Sequence, residues 1–201
     1  MQPDTQTTRF YESHVRRFGY GYRGLGFGRR SSQEKRFAAA AALGSFHGAR
    51  LLDVGCGFGD LLAWLNARGV RPRYTGLDLC VPMVERCRRR FPDGDAQFVV
   101  GDVLTHEVEE PYDYVVASGI FGYKAPGLRA RVQPILEKLY SMAEAGLAVN
   151  FLSGCAPRRS GPAPHRFRSL SRGLPFPRGG AIHAQGEVVG QVGVVHAHRR
   201  R

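Results

Sequence analysis

No apolar run of about 18 residues occurs in this chain of 201 residues, so no segment reads as a membrane-spanning helix. No charged-then-apolar leader of the secretory kind opens it either. The four cysteines, Cys56, Cys80, Cys87 and Cys155, include no CxxC pair, which argues against a disulfide framework and for reduced thiols in a cytosolic compartment. The seven histidines, His196 and His198 among them, have no ligand-like neighbours in sequence, and no metal site is expected. Internal repeats are not evident. What remains is a soluble, cytoplasmic protein of one domain, whose 43% hydrophobic content suffices to bury a core without covalent or metal staples.

The most informative stretch that is present runs from Leu51 to Asp60. Leu51, Leu52 and Val54 suit a strand buried on both faces, and Asp53 lies near its end. Gly55, Gly57 and Gly59 then permit backbone angles and close approaches that a Cβ would block. Leu61, Leu62, Trp64 and Leu65 recur at helical spacing, so a helix begins at about Asp60 and turns its first N–H groups toward the loop. The dinucleotide fingerprint G-x-G-x-x-G fails here because Asp60 stands where the third glycine belongs. A Walker loop fails too, since no lysine is near the turn.

Three further segments repeat the strand-then-acid design. Tyr74–Leu79 closes on Asp78, 25 residues after Asp53, where a doubly wound fold places an acid for ribose hydroxyls. Its plainer alternative is an N-cap ahead of Val81-Pro82-Met83-Val84. Gln97–Val103 carries Asp102 near its end, and Tyr112–Ser118 runs into Gly119-Ile120-Phe121. Val132, Ile135, Leu136, Leu139, Tyr140 and Ala143 then describe an amphipathic helix. Gly146 reads as the stop of that helix and Gly146–Leu152 as a fifth strand. Strands alternating with helices predict an α/β fold, a doubly wound and mostly parallel sheet with its ligand crevice at the carboxyl ends of the strands.

The pattern Asp53-x-Gly55-x-Gly57-x-Gly59, followed by acids at Asp78 and Asp102, resembles the class I S-adenosylmethionine-dependent methyltransferases over about residues 50–153. The resemblance implies a Rossmann-like fold and S-adenosylmethionine as cofactor. Asp53, Gly55, Cys56, Gly57 and Gly59 would pack on its methionine part, and Asp78, with Leu79 beside it, would take the ribose. Asp102 and the N–H of Val103 would take the adenine, and Ser118 and Gly119 would touch the cofactor near the methyl-transfer pocket. Phe121 and Tyr123 become candidates for facing the acceptor, with core packing as the even alternative.

Ahead of these motifs, Thr7–Phe18 reads as a helix with Phe10, Tyr11, His14 and Phe18 on one side. A Gly- and aromatic-rich stretch follows to Gly28, and an Ala-rich helix over Gln33–Leu43 is capped by Ser31 or Ser32. By resemblance this region forms a lid, with Tyr11, His14, Tyr20 and Tyr22 as candidate substrate contacts; packing on the sheet edge is the alternative. Residues 1–153 are thus expected to be the methyltransferase domain, 1–49 its lid and 50–153 its cofactor-binding core.

Residues 154–201 differ in kind. They hold nine arginines, no lysine and one acid, Glu187, and carry +8 of the chain's +12. Gly and Pro fill 13 of the 48 positions, and only Glu187–Val195 looks strand-like. The family's closing helix and antiparallel strands are not visible, so the C-terminal edge of the sheet is expected to be incomplete. Three explanations stand: a divergent closure, a disordered basic extension, or a reading-frame change after about Ser153.

The resemblance implies methyl transfer. Neither Asn-Pro-Pro-Tyr nor a Pro-Cys pair follows the fourth strand, which favours a small-molecule acceptor over a nucleobase. The alternatives are a nucleic-acid-binding or RNA-modifying protein using the basic tail, and an inactive cofactor-binding relic. No catalytic residue is identified, although His14 or Tyr11 would be in place to serve as a base if one is needed.

Overall fold

The computed structural model describes residues 5–94, 96–123 and 127–152, together with two strands at 181–183 and 192–198. Helices α1 (Thr5–Phe18) and α2 (Arg30–Ala41) come first. Strands β1 (Arg50–Val54), β2 (Arg73–Asp78), β3 (Ala96–Val100), β4 (Tyr112–Ala117) and β5 (Ala143–Leu152) follow, interleaved with α3 (Asp60–Asn66), α4 (Val81–Arg90) and α5 (Leu128–Met142). Two last strands, β6 (Ala181–His183) and β7 (Val192–His198), complete one seven-stranded sheet of order β3-β2-β1-β4-β5-β7-β6. The first five strands are parallel, and β7 runs antiparallel to both β5 and β6.

Successive strand residues point to opposite faces, and the sequence supplies apolar residues for both. Leu52, Val54, Val115, Ala117, Leu147 and Val149 pack on one face against Val132, Ile135, Leu136 and Leu139 of α5. Leu51, Tyr74, Val116 and Ala148 pack on the other, under Phe37 and Ala40 of α2, Leu61, Leu62 and Leu65 of α3, and Val84 and Cys87 of α4. Reversal of strand order between β1 and β4 opens the crevice at the carboxyl ends of those two strands, the usual ligand position in such sheets.

Three sequence expectations change. The amphipathic helix ends at Met142 and β5 starts at Ala143, so Gly146 lies inside a strand rather than stopping a helix. A Cβ there would come within 2.8 Å of Leu43, so the glycine is required by the packing of the segment after α2. Helix α2 begins at Arg30 after Arg29, with no side-chain cap, which places Ser31 and Ser32 within its first turn. The edge of the sheet is not left bare: β7 pairs along β5 from Leu152↔Val192 to Gly146↔His198. Gly193 interrupts the valines of β7 without preventing pairing, because an antiparallel ladder is held by main-chain groups that glycine also carries. The rest of the Arg-rich 154–201 segment lies outside the described residues.

The basic run on α4 is exposed along its length and still makes local contacts. Arg88 donates through Nε and Nη2 to the Phe98 carbonyl at 3.2 and 2.7 Å, and Arg90 donates to the Phe58 carbonyl and to Asp60. Arg86 sits over the Tyr20 ring. These arginines tie α4 to β3, to the glycine loop and to the segment after α1.

Candidate functional site

The glycine loop after β1 is held from within. Gly55, Gly57 and Gly59 all have positive φ, at 73°, 55° and 70°, a region open to glycine at little cost. The N–H groups of Gly55 and Cys56 both donate to the Leu77 carbonyl, and that of Gly57 donates to Asp78 Oδ2 at 2.8 Å. Three successive donors are therefore turned onto β2 and its terminal acid. The loop is not a nest of free N–H groups for a phosphate, which accords with the failed dinucleotide and Walker spacings.

Asp78 sits at the centre of this arrangement. Its Oδ1 accepts the Cys80 N–H at 2.9 Å, so the side chain also braces the start of α4, though Cys80 rather than Asp78 occupies the N-cap position. Burial pushes the Asp78 carboxyl upward, and the N–H groups of Cys80, Gly57 and Leu79 pull it back. An ionised carboxylate offers about four lone-pair positions, so each oxygen keeps room for a hydroxyl donor.

Asp53 lies deeper, at 3% exposure, and its Oδ2 accepts the Tyr74 hydroxyl at 2.6 Å. Burial pushes its carboxyl up to about 7; the Tyr74 hydrogen bond opposes this, and the charges of Asp78 and Asp60 add to it. At the end of β3, Asp102 Oδ1 accepts the Leu104 N–H and Oδ2 pairs with Arg131 of α5 at 2.6 Å. Beyond β4, Asn150 of β5 donates to Ser118 Oγ at 2.7 Å and accepts the Gly119 N–H at 2.8 Å. That two-point clasp fixes the strand end. Cys56 and Cys87 are buried beneath the loop, where Cys87 Sγ donates to the Gly57 carbonyl, and the hydrogen bond to Cys87 followed by burial pushes the Cys56 thiol well up.

These elements enclose a cavity of about 630 Å³, within the range of small-molecule sites. Asp53, Gly55, Cys56, Gly57, Asp78 and Leu79 line one end, and Asp102, Val103, Ser118 and Gly119 continue the wall. Helix α1 covers it. Phe10 stacks on Tyr123 with centroids 4.0 Å apart, His14 lies 4.2 Å from Phe10, and Phe18 follows His14 at 5.4 Å, forming a ladder of rings along the helix. Val15 of α1, joined by the partly buried Tyr11 and Leu25, packs with Phe58, Cys80 and Met83 and seats the lid on the loop. Tyr11, His14 and Tyr123 line the cavity. Burial, with Asp78 adding to it and Arg36 opposing, pushes the Tyr11 phenol up to about 12, which makes it a proton donor at neutral pH and not a base.

Four residues named from the sequence are not part of the cavity wall. Gly59 stands behind the loop as the N-cap of α3, where a Cβ would meet Phe91 at 2.7 Å. Tyr20 is 55% exposed and edges onto Phe58 from outside, Tyr22 packs beneath Arg23, and Phe121 packs on the α5 side of the core. Conversely, Leu25, Phe27, Gln33, Arg36 and Arg131 line the cavity and were not anticipated. Gln33 and Arg36 lie on the same side of α2 as Phe37 and Ala40, but the alanines around them hide that stripe in the sequence. Among the described residues no cluster of His, Cys, Asp and Glu is arranged to hold a metal ion, and no helix is long and apolar enough to cross a membrane.

Comparison with known proteins agrees with this geometry. The sequence profile of the methyltransferase-domain family matches residues 51–144. Rv1506c of Mycobacterium tuberculosis, named as a methyltransferase, is 35% identical over 106 residues, which are 50% of this chain and 61% of that protein. A fatty-acid O-methyltransferase of Mycolicibacterium smegmatis is 43% identical over 67 residues, 33% of this chain and 24% of that one. The chain thus spans less than two thirds of these relatives. The crystal structure of magnesium protoporphyrin IX methyltransferase from Synechocystis with bound S-adenosylmethionine superposes with a TM-score of 0.69, covering 99% of both chains at 19% identity, a likeness of fold. Residues 51–144 thus match the methyltransferase-domain family, and the sheet has the fold of the S-adenosylmethionine-bound methyltransferase on which it superposes.

Proposed function

We propose that this chain binds S-adenosylmethionine in the covered cavity and transfers its methyl group to a small molecule. The observation that carries this is the convergence of three strand-end acids, Asp53, Asp78 and Asp102, with the glycine loop on one cavity wall. The residues fit such a ligand. Asp78 has lone pairs left for the two ribose hydroxyls, and Asp102 keeps acceptor capacity beside Arg131 for an exocyclic amine, next to the Val103 backbone. Ser118 and Gly119, clasped by Asn150, set the wall near the reacting end.

When bound, S-adenosylmethionine supplies an electrophilic methyl whose leaving group departs as a neutral thioether, so the protein need supply no acid. Positioning is then the main contribution of the fold, and alignment of this kind accounts for a large share of such accelerations. The lid formed by α1 and Leu25 covers the cavity, and the rings of Phe10, His14 and Tyr123 offer an aromatic face for the acceptor. A small organic acceptor is favoured by this aromatic lining and by the name of the fatty-acid relative. We assign residues 1–153 to the methyltransferase domain, with 1–49 as its lid. A cytosolic location fits the free thiols of Cys56, Cys80 and Cys87.

Calorimetric titration with S-adenosylhomocysteine tests the proposal. Micromolar binding by the wild-type chain that Asp78→Ala abolishes is the expected result. No binding, together with salt-sensitive RNA binding, would replace it with the nucleic-acid alternative; binding without turnover on a broad acceptor panel would leave a cofactor-binding relic.

A further inference from the structure

Two thiols meet beneath the glycine loop, one from the loop itself and one from α4. Cys56 stands between Gly55 and Gly57, and Cys87 lies in the second half of α4. Both belong to one buried cluster, at 5% and 0% exposure, and both are free. Their placement is fixed from two sides. The Cys87 Sγ donates to the Gly57 carbonyl at 3.2 Å and lies 3.5 Å from where a Gly59 side chain would start, so it sits directly under the loop that carries Cys56. A Cβ at Gly76 would stand 2.9 Å from the Cys56 Sγ, so Cys56 fills the space that this glycine leaves over β2 and is turned inward, toward the same cluster as Cys87. Cys80 packs elsewhere, with Val15, Phe58 and Met83 at the seam of the lid. Of the pair, Cys56 lines the cavity and can be reached from it.

We propose that Cys56 and Cys87 form a redox modification site, at which a peroxide makes a disulfide that ties the glycine loop to α4 and weakens ligand binding in the cavity. The Cys56 sulfur takes one peroxide oxygen as the O–O bond breaks, giving a sulfenic acid and one water. The Cys87 sulfur then attacks that sulfur, the S–S bond forms, and the sulfenic oxygen leaves as a second water. The two thiols together lose two electrons, the peroxide gains them, and both thiol protons end in water. The neighbouring Cys87 and burial push the Cys56 thiol well up, so thiolate is scarce at neutral pH and the pair stays reduced unless oxidant is sustained. A disulfide holds its sulfurs at about 2.05 Å, closer than any unbonded contact, so the loop and α4 are drawn together and the Gly57 carbonyl loses its Cys87 donor. Gly55 and Gly57 line the cavity on that same short loop, and the ligand wall moves with them. The disulfide stands on this geometry alone; its effect on a ligand rests on the cofactor reading above.

The test exposes the whole chain to hydrogen peroxide, with and without saturating S-adenosylhomocysteine, blocks the remaining thiols with N-ethylmaleimide and maps tryptic peptides without reduction. Trypsin places Cys56 in peptide 51–68, Cys80 in 74–86 and Cys87 in 87–88, so each pairing has its own mass. The expected product joins 51–68 to 87–88, forms more slowly with ligand bound and is undone by a phosphine reductant. Calorimetry on the oxidised protein is expected to show S-adenosylhomocysteine bound about tenfold or more weakly, with recovery on reduction. Cys87→Ala and Cys87→Ser, each compared with its own untreated form, keep their affinity through the same treatment. A link from Cys56 to Cys80 or Cys155, cysteine oxyacids without a link, or two unreacted thiols would overturn the proposal. A link between Cys56 and Cys87 that leaves affinity unchanged would overturn the switch. Reduced wild-type chain that binds no S-adenosylhomocysteine would instead overturn the cofactor reading, while the peptide map still decides the disulfide.

Discussion

At the scale of single residues, Asp53 makes the sharpest prediction. Its folded-state value of about 7 lies above the ordinary value of 3.8, so the native state holds this proton more tightly than the unfolded chain. The stabilisation is complete below about pH 4 and is lost as pH rises toward 7, at up to about 1.4 kcal/mol per pH unit. Asp53→Asn keeps an acceptor for Tyr74 but cannot titrate. Denaturant unfolding of both proteins from pH 4 to 8 is expected to show the variant gaining on wild type through that window and levelling off above it; a difference independent of pH would contradict the assignment. Asn150 makes a second prediction. Asn150→Ala removes both halves of the clasp on Ser118 and Gly119 in a buried place, at a cost of about 1–3 kcal/mol in stability, and is expected to raise the dissociation constant for S-adenosylhomocysteine. Asp53, Asp78 and Asp102 were legible in the sequence because each ends a short apolar run. Asn150 was hidden inside the fifth such run, since its partners lie more than 30 residues away. Arg36 was missed because its alanine-rich helix has almost no amphipathic contrast to make an inward arginine stand out.

Among elements, the first four strands and the helices between them could be read from periodicity, since each carries its own apolar pattern. Boundaries set by neighbours could not. Gly146 resembles a helix stop until Leu43 is seen against it, and the start of α2 was displaced because no side chain caps it. The lid is the element on which function should depend most visibly. It is seated chiefly by Val15, Phe58, Cys80 and Met83 with Leu25 and Tyr11, a small contact area next to the sheet, so it is expected to open locally well before the domain unfolds. Trypsin should therefore cut near the exposed Arg23, Arg29 and Arg30, and saturating S-adenosylhomocysteine should slow that cleavage; digestion at these sites at an unchanged rate would detach the lid from ligand binding. Gly57→Ala addresses the same seam. A Cβ at φ 55° would be strained by about 1–2 kcal/mol and would stand 2.8 Å from Leu25. Weaker nucleoside binding and faster cleavage at Arg23 are expected together.

For the whole molecule, the edge of the sheet matters most. Composition alone made residues 154–201 look unable to close it, because strand pairing draws its stability from the partner as well as from local propensity, and β7 reads poorly until it is laid along β5. Deleting residues 154–201 would leave the ten-residue β5 with one unpaired side, a template for association. Size-exclusion chromatography is expected to show aggregation or dimerisation of the truncated chain and thermal melting a lower midpoint; a stable monomer would mean that β7 is dispensable. The same topology bears on biosynthesis. Residues 153–191 separate β5 from its outer partner, and at about 5–20 residues per second a ribosome needs roughly 2–9 s to pass from the end of β5 to the end of β7. During that interval the nascent domain has its lid, glycine loop and acid-lined crevice already synthesised while one flank of its sheet stays open, so a translational pause in the arginine-rich segment would lengthen its exposure to neighbouring chains.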